Sequence, residues 1–264
     1  MTPILKIALE EDIGPGDVTT RACVPESQQA RGRFITREPL IVAGLDLLSE
    51  LYDSVTLNCK NGDRCLDGEV IAEVRGPARK LLEYERVALN FLQHLSGIAT
   101  LARQFADAVA GTKCKVLDTR KTTPGLRALE KAAAAAGGVT NHRMGLFDAI
   151  LIKNNHIAAA GGVRTAIERA RTSGLPIEIE VRTRAELHEA LDAGAVHLLL
   201  DNLTPAEAAD WVRQIAGRAK VELSGGITLQ SVRDFAETGA DYVSAGAITH
   251  SARAMDISFR LELL

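Results

Sequence analysis

Six short apolar runs in the second half of the chain, KVLDTRK, AILIKN, IEIEVRT, HLLLDNL, KVELSGG and YVSAGAI, each end on residues able to do chemistry. In order these ends are Arg120 and Lys121, Lys153, Glu180, Asp201, Ser224-Gly225-Gly226, and Gly246 with His250 just beyond. A single charge after a strand is usually solvated loop. Six such ends on one rim point to a site. Arg120, Lys121, Arg143 and Lys153, with His142 beside Arg143, form a cationic group, and guanidinium forks suit carboxylate or phosphate in two-point contact. Glu180 and Asp201 are acceptors for ribose hydroxyls or for a Mg²⁺ that keeps most of its water. The small-residue loops SGG and SAGA leave backbone N–H groups ahead of helices, where barrel folds hold phosphate. The chemistry implied is a phosphorylated ribose donor beside an acidic acceptor.

The rim exists only if the runs are parallel strands. The last four recur at about 22-residue steps, the period of a strand, a loop and one helix, so a barrel of βα units is the economical reading. The patch KAAAAAGG reads as a helix end stopped by glycine. Before Gly111 the pattern differs. An entry helix, a Gly/Pro/Asp turn at DIGPGDVTT and β-like runs around ARGRFITREPLIVAG, VTLNCKNGDRC and VIAEVRGPARKLL give an antiparallel α+β piece, followed by a long helix from Glu83.

At 264 residues and 46% hydrophobic content the chain buries a substantial core without disulfide or metal support. A formal charge of −3 supplies no general attraction for nucleic acid or anionic lipid, so any anion site is local. Cys23, Cys59, Cys65 and Cys114 show no CxxC spacing and suggest neither a zinc site nor a redox pair. The N-terminus lacks the pattern of a signal peptide, no run approaches a membrane span, and a reducing cytoplasm suits the thiols.

Over nearly its whole length the sequence resembles the quinolinate phosphoribosyltransferase family. The resemblance is carried by ERVALNFLQHLSGIAT, DTRKTTPGLRALEKAAAAAGGVTNHRMGLFDAILIKNNHI, LLLDNLTP, LSGGI and SAGAITHS. It implies an N-terminal open α+β sandwich over 1–109, with about 253–264 packing back on it, and an incomplete parallel α/β barrel over 110–264 carrying the site. It implies conversion of quinolinate and phosphoribosyl pyrophosphate (PRPP) to nicotinate mononucleotide, carbon dioxide and pyrophosphate, with Mg²⁺, in NAD biosynthesis. The implied assembly is a homodimer with shared sites, with further association into a hexamer left open.

By motif match, Arg86, Arg120, His142, Arg143 and Lys153 are similar to the quinolinate pocket, Arg86 reaching across the dimer. Lys121, Glu180, Asp201, Ser224, Gly225, Gly226, Gly246 and His250 are similar to the PRPP site. Glu180 and Asp201 would face the metal, and Lys153, Glu180 and Asp201 the reacting atoms. The chain departs from the family pattern at Asn154, Leu223 and Arg182, the last where a less basic residue is expected. A paralogous group associated with molybdenum transport shares the TRKT and HR regions but typically lacks an IKNNH-like segment. A single-carboxylate substrate such as nicotinate would need fewer cations than this rim offers.

Overall fold

The computed structural model describes residues 1–264. The first part of the chain runs α1 (Pro3–Ile13), α2 (Val18–Cys23), β1 (Gln29–Thr36), β2 (Leu40–Ile41), α3 (Asp46–Leu51), β3 (Ser54–Leu57), β4 (Arg64–Cys65), β5 (Val70–Pro77) and α4 (Ala78–Ala108). The remainder runs β6 (Lys115–Leu117), α5 (Arg127–Ala136), β7 (Ile150–Ile152), α6 (Asn154–Ala160), α7 (Val163–Arg171), β8 (Ile177–Val181) and α8 (Arg184–Asp192). It closes with β9 (His197–Asp201), α9 (Pro205–Ile215), β10 (Lys220–Ser224), α10 (Val232–Ala236), β11 (Tyr242–Ser244), α11 (Ala247–His250) and β12 (Ile257–Leu263).

These elements form two compact units, one of residues 1–103, 123–138 and 251–264, the other of residues 104–122 and 139–250. In the first, an antiparallel sheet in the order β12-β1-β5-β3 places the closing segment in register with β1, Phe34 opposite Phe259. The Phe34 ring is fully buried, its centroid 4.9 Å from that of Phe259, and burying such a ring stabilises by about 1.5–3 kcal/mol. The expected boundary at 109/110 is corrected on two counts. The observed break falls inside α4, after Arg103, and the segment carrying α5, residues 123–138, joins the first unit. There the buried Glu130 of α5 pairs with His94 of α4 (Nε2 to Oε1, 2.8 Å) and accepts the Thr123 N–H at 3.1 Å. The alanine run is the end of α5, and the left-handed stop falls at Gly138. A turn at Lys60–Asp63 also brings the Sγ atoms of Cys59 and Cys65, both free thiols, to 3.8 Å, a juxtaposition their spacing does not announce.

The second unit is built on six parallel strands in the order β6-β11-β10-β9-β8-β7. Leu198, Leu200, Val221, Leu223 and Val243 are buried on the face turned to the helices. On the open side of β6 a single parallel bridge, Leu117 to Thr140, takes the place of a further strand, and β7 ends the sheet, so the barrel is incomplete. Short, firmly capped turns carry the chain from strand end to helix. Thr183 with Glu186, and Thr204 with Glu207 and Pro205 at the first turn, form capping boxes that start α8 and α9 just past β8 and β9.

Candidate active site

Strand alternation puts Glu178 and Glu180 on one face of β8, His197, Leu199 and Asp201 on one face of β9, and Glu222 and Ser224 on one face of β10. The inner face therefore carries two polar tiers. The upper one, at the strand ends, contains Glu180, Asp201 and Ser224. The lower one contains Glu178, His197 and Glu222.

In the upper tier Glu180, almost wholly buried, accepts at Oε1 from Arg182 (Nε 2.8 Å, Nη2 2.6 Å), while Lys153 Nζ stands 3.9 Å from Oε2. Asp201 is held by neutral donors, Ser224 Oγ at 2.5 Å on Oδ1 and Asn202 Nδ2 at 2.6 Å on Oδ2. Asn202 has φ +58°, a left-handed value uncommon outside glycine and concentrated at functional sites. Gly225 lies directly against it: at φ +99° a Cβ on residue 225 would stand 2.3 Å from Asn202 Oδ1 and 2.7 Å from its backbone nitrogen. At the neighbouring strand end Lys121, Gly246 and His250 meet. A Cβ on residue 246 would be 2.8 Å from Lys121 Cδ and 3.1 Å from His250 Nε2, and Thr249 Oγ1 donates to the Lys121 carbonyl at 2.8 Å. At both loops a larger residue would have to displace its neighbours.

The NHR turn is placed by a buried acceptor. Asp118, at the end of β6, accepts the His142 N–H at 2.8 Å and the Asn141 side-chain amide at 2.6 Å, fixing the NHR turn. The Arg143 N–H donates to His142 Nδ1 at 2.7 Å. The neutral ring then carries its proton on Nε2, which lies 3.2 Å from Glu178 Oε2 and 3.5 Å from Glu222 Oε2. These three side chains are close enough for a metal ion, but in this tautomer the imidazole offers a donor and no lone pair. Both ring nitrogens are engaged within the protein, so His142 braces the turn that presents Arg143.

Burial, and next the like charge of Arg120, lower the pKa of Arg143, whose Nη1 donates to the Ala149 carbonyl at 3.0 Å. Two arginines thus converge where an anion would relieve them. Lys153 is set at the end of β7 by its N–H donating to His156 Nδ1 at 2.9 Å, with the His156 N–H returning to the Lys153 carbonyl at 2.8 Å. Arg86 is exposed on α4 in the first unit.

The lower tier borders a cavity of about 240 Å³ lined by Arg143, His142, Glu178, His197, Glu222 and Tyr242 among others. Burial first, and then the charge of Glu178, push the Glu222 carboxyl up to about 8 from 4.5. The folded protein therefore keeps this proton over pH 4.5–8 while the unfolded chain has released it, so this group's contribution to stability falls as pH rises through that window. The slope is at most about 1.4 kcal/mol per pH unit. Glu222→Gln, which keeps the shape without the titration, is expected to lose less stability than wild type between pH 6 and 8. Urea midpoints at the two pH values check this, and equal losses contradict it.

A rim of cations, paired carboxylates and glycine loops on an incomplete α/β barrel defines a phosphoribosyltransferase of the barrel class. The models of the quinolinate phosphoribosyl transferase N-terminal and C-terminal domains match residues 17–96 and 98–260. The chain is 43% identical over 262 residues to a probable carboxylating nicotinate-nucleotide pyrophosphorylase of Bacillus subtilis, covering 96% of this chain and 90% of that protein. It is 39% identical over 287 residues to the chloroplastic carboxylating nicotinate-nucleotide pyrophosphorylase of Arabidopsis thaliana, covering 98% and 82%. The crystal structure of NadC from Streptococcus pyogenes superposes with a TM-score of 0.93 at 40% identity, covering 100% of this chain and 99% of that one. The chain belongs to the quinolinate phosphoribosyltransferase family.

Asp118, Glu178, Glu222, His197 and Asn202 are not among the strand-end residues that the sequence pattern singles out. The i, i+2 spacing in IEIE was the available signal for Glu178, since it must share a face with Glu180.

Proposed function

We propose that the chain transfers the phosphoribosyl group of PRPP to the nitrogen of quinolinate, releasing pyrophosphate and then carbon dioxide to leave nicotinate mononucleotide. The observation that carries this reading is one sheet edge bearing both halves of the chemistry. Arg120, Arg143 and Lys153 stand at β6, the NHR turn and β7, and Glu180, Asp201 and Ser224 to Gly226 at β8 to β10.

Quinolinate has two adjacent carboxylates, and gathered cations let its nitrogen approach C1 of a negatively charged donor. As the C1–oxygen bond to pyrophosphate breaks, positive charge grows on C1 and the ring oxygen. Glu180 and Asp201 oppose that charge, while Lys121 and the two glycine loops hold the donor's phosphates. Once the nitrogen is alkylated, the bond from C2 to its carboxylate breaks, the electron pair stays at C2 beside the cationic nitrogen, and C2 takes up a proton. Glu180 and Asp201 offer the hard oxygen donors that suit Mg²⁺, which when bound with the donor neutralises departing pyrophosphate. Equimolar carbon dioxide and pyrophosphate from quinolinate, PRPP and Mg²⁺ are the expected products, and pyrophosphate without carbon dioxide would overturn the decarboxylating step.

The same reading takes the enzyme to be a cytoplasmic homodimer in which Arg86 of one subunit completes the other's site. Its exposed position in the first unit supports this. Arg86→Ala and Lys153→Ala proteins, each inactive, are expected to regain partial activity when mixed and allowed to exchange subunits. No recovery despite demonstrated exchange contradicts the shared site. No helix is long and apolar enough to cross a membrane.

A further inference from the structure

We infer that Arg182 is a latch on Glu180, covering that carboxylate until PRPP arrives and then passing to the donor's pyrophosphate. The inference rests on the proposed reading of the rim and gives it an order of binding.

Arg182 stands two residues beyond Glu180, so it emerges on the same side of the chain and can fold back over it. Its backbone is fixed, the N–H donating to Glu186 Oε2 at 2.7 Å inside the cap of α8. The guanidinium places Nε and Nη2 at 2.8 and 2.6 Å from Oε1 of Glu180, and Lys153 Nζ lies 3.9 Å from Oε2. Both oxygens thus face cations. A divalent ion approaching Glu180 meets two positive charges, and coordination to Oε1 requires the guanidinium to leave. Asp201, the other acceptor, is covered only by the hydroxyl of Ser224 and the amide of Asn202. The asymmetry assigns the obstruction to Arg182.

The latch is also built to release. The Glu180 side chain is 4% exposed, whereas that of Arg182 is 49% exposed, so the carboxylate is fixed and the guanidinium has solvent to turn into. A pyrophosphate offers more negative charge than one carboxylate and the planar two-point geometry that a guanidinium favours. Donor binding would then uncover Glu180 as the metal-bearing anion is delivered, and a metal ion alone would gain little.

Binding of Mn²⁺ to the ligand-free protein, read by the electron paramagnetic resonance of unbound Mn²⁺, tests this without turnover. Arg182→Gln is expected to bind Mn²⁺ about 10-fold or more tightly than wild type, since a covering cation has been removed. Adding Glu180→Gln should abolish that gain. Arg182→Lys, which keeps the charge but lacks the fork, is expected to fall between. In steady state Arg182→Gln should raise KM for PRPP about 10-fold with a much smaller change in kcat. Unchanged Mn²⁺ affinity in Arg182→Gln, or a gain that survives Glu180→Gln, overturns the latch. A purely structural arginine would move the melting temperature and leave Mn²⁺ affinity where it was. Absence of turnover with quinolinate would overturn the proposed reaction but not the Mn²⁺ result.

Discussion

Lys153→Ala is expected to lower kcat/KM for quinolinate by on the order of 10³-fold while leaving the fold intact, an effect within the range for removing one partner of a desolvated charge pair. The side chain is 51% exposed and stands at a strand end, so truncation opens no core cavity. Its backbone is held by His156, which the substitution leaves in place. What is lost is the cation 3.9 Å from Glu180 Oε2, which the proposed function turns toward the acceptor. Quinolinate would bring its carboxylates toward Glu180 with one fewer positive charge to separate them, a cost that grows as water is excluded. Initial rates at varied quinolinate, with circular dichroism as the control for folding, measure the effect. Near-normal kcat/KM in folded protein contradicts the placement of Lys153 in the acceptor pocket.

Gly225→Ala is expected to raise KM for PRPP by on the order of 100-fold, with a loss of about 1–3 kcal/mol of stability from forcing an L-residue into this backbone conformation. Strain is the smaller part. The new Cβ would lie 2.3 Å from Asn202 Oδ1, and Asn202 donates to the carboxylate of Asp201. Relief of that contact must move Asn202, the Ser224–Gly226 turn or both, and each belongs to the surface that receives the donor under the proposed function. A modest fall in melting temperature should accompany a large loss in PRPP binding, measured directly by calorimetry. Unchanged PRPP affinity would show that the SGG turn is not part of the donor site.

The upper tier was legible because each of its residues lies at the end of an apolar run, where a change of residue type stands out. Asp201 after HLLL and Ser224-Gly225-Gly226 after KVEL follow directly from strand, turn and helix periodicity. The lower tier was not legible, because Glu178 and Glu222 sit inside their runs and only the pairing of β8 and β10 across β9 brings them to His142. Arg182 was visible only as a departure from the family pattern, since its hold on Glu180 is a matter of rotamer. The place of α5 in the first unit was hidden for a similar reason. Its sequence specifies a helix, but contacts distant in sequence, such as the His94–Glu130 pair and Gly137 against Ala99 and Ala102, show where that helix packs.

The central claim is that the rim is built for an acceptor with two carboxylates. The most direct measurement offers quinolinate and nicotinate separately to the purified protein, each with PRPP and Mg²⁺, and follows pyrophosphate and mononucleotide. Turnover with quinolinate and none with nicotinate is the result predicted, because Arg120, Arg143 and Lys153 together exceed what one carboxylate needs. Equal or better turnover with nicotinate, or none with either substrate in folded protein, would contradict the account.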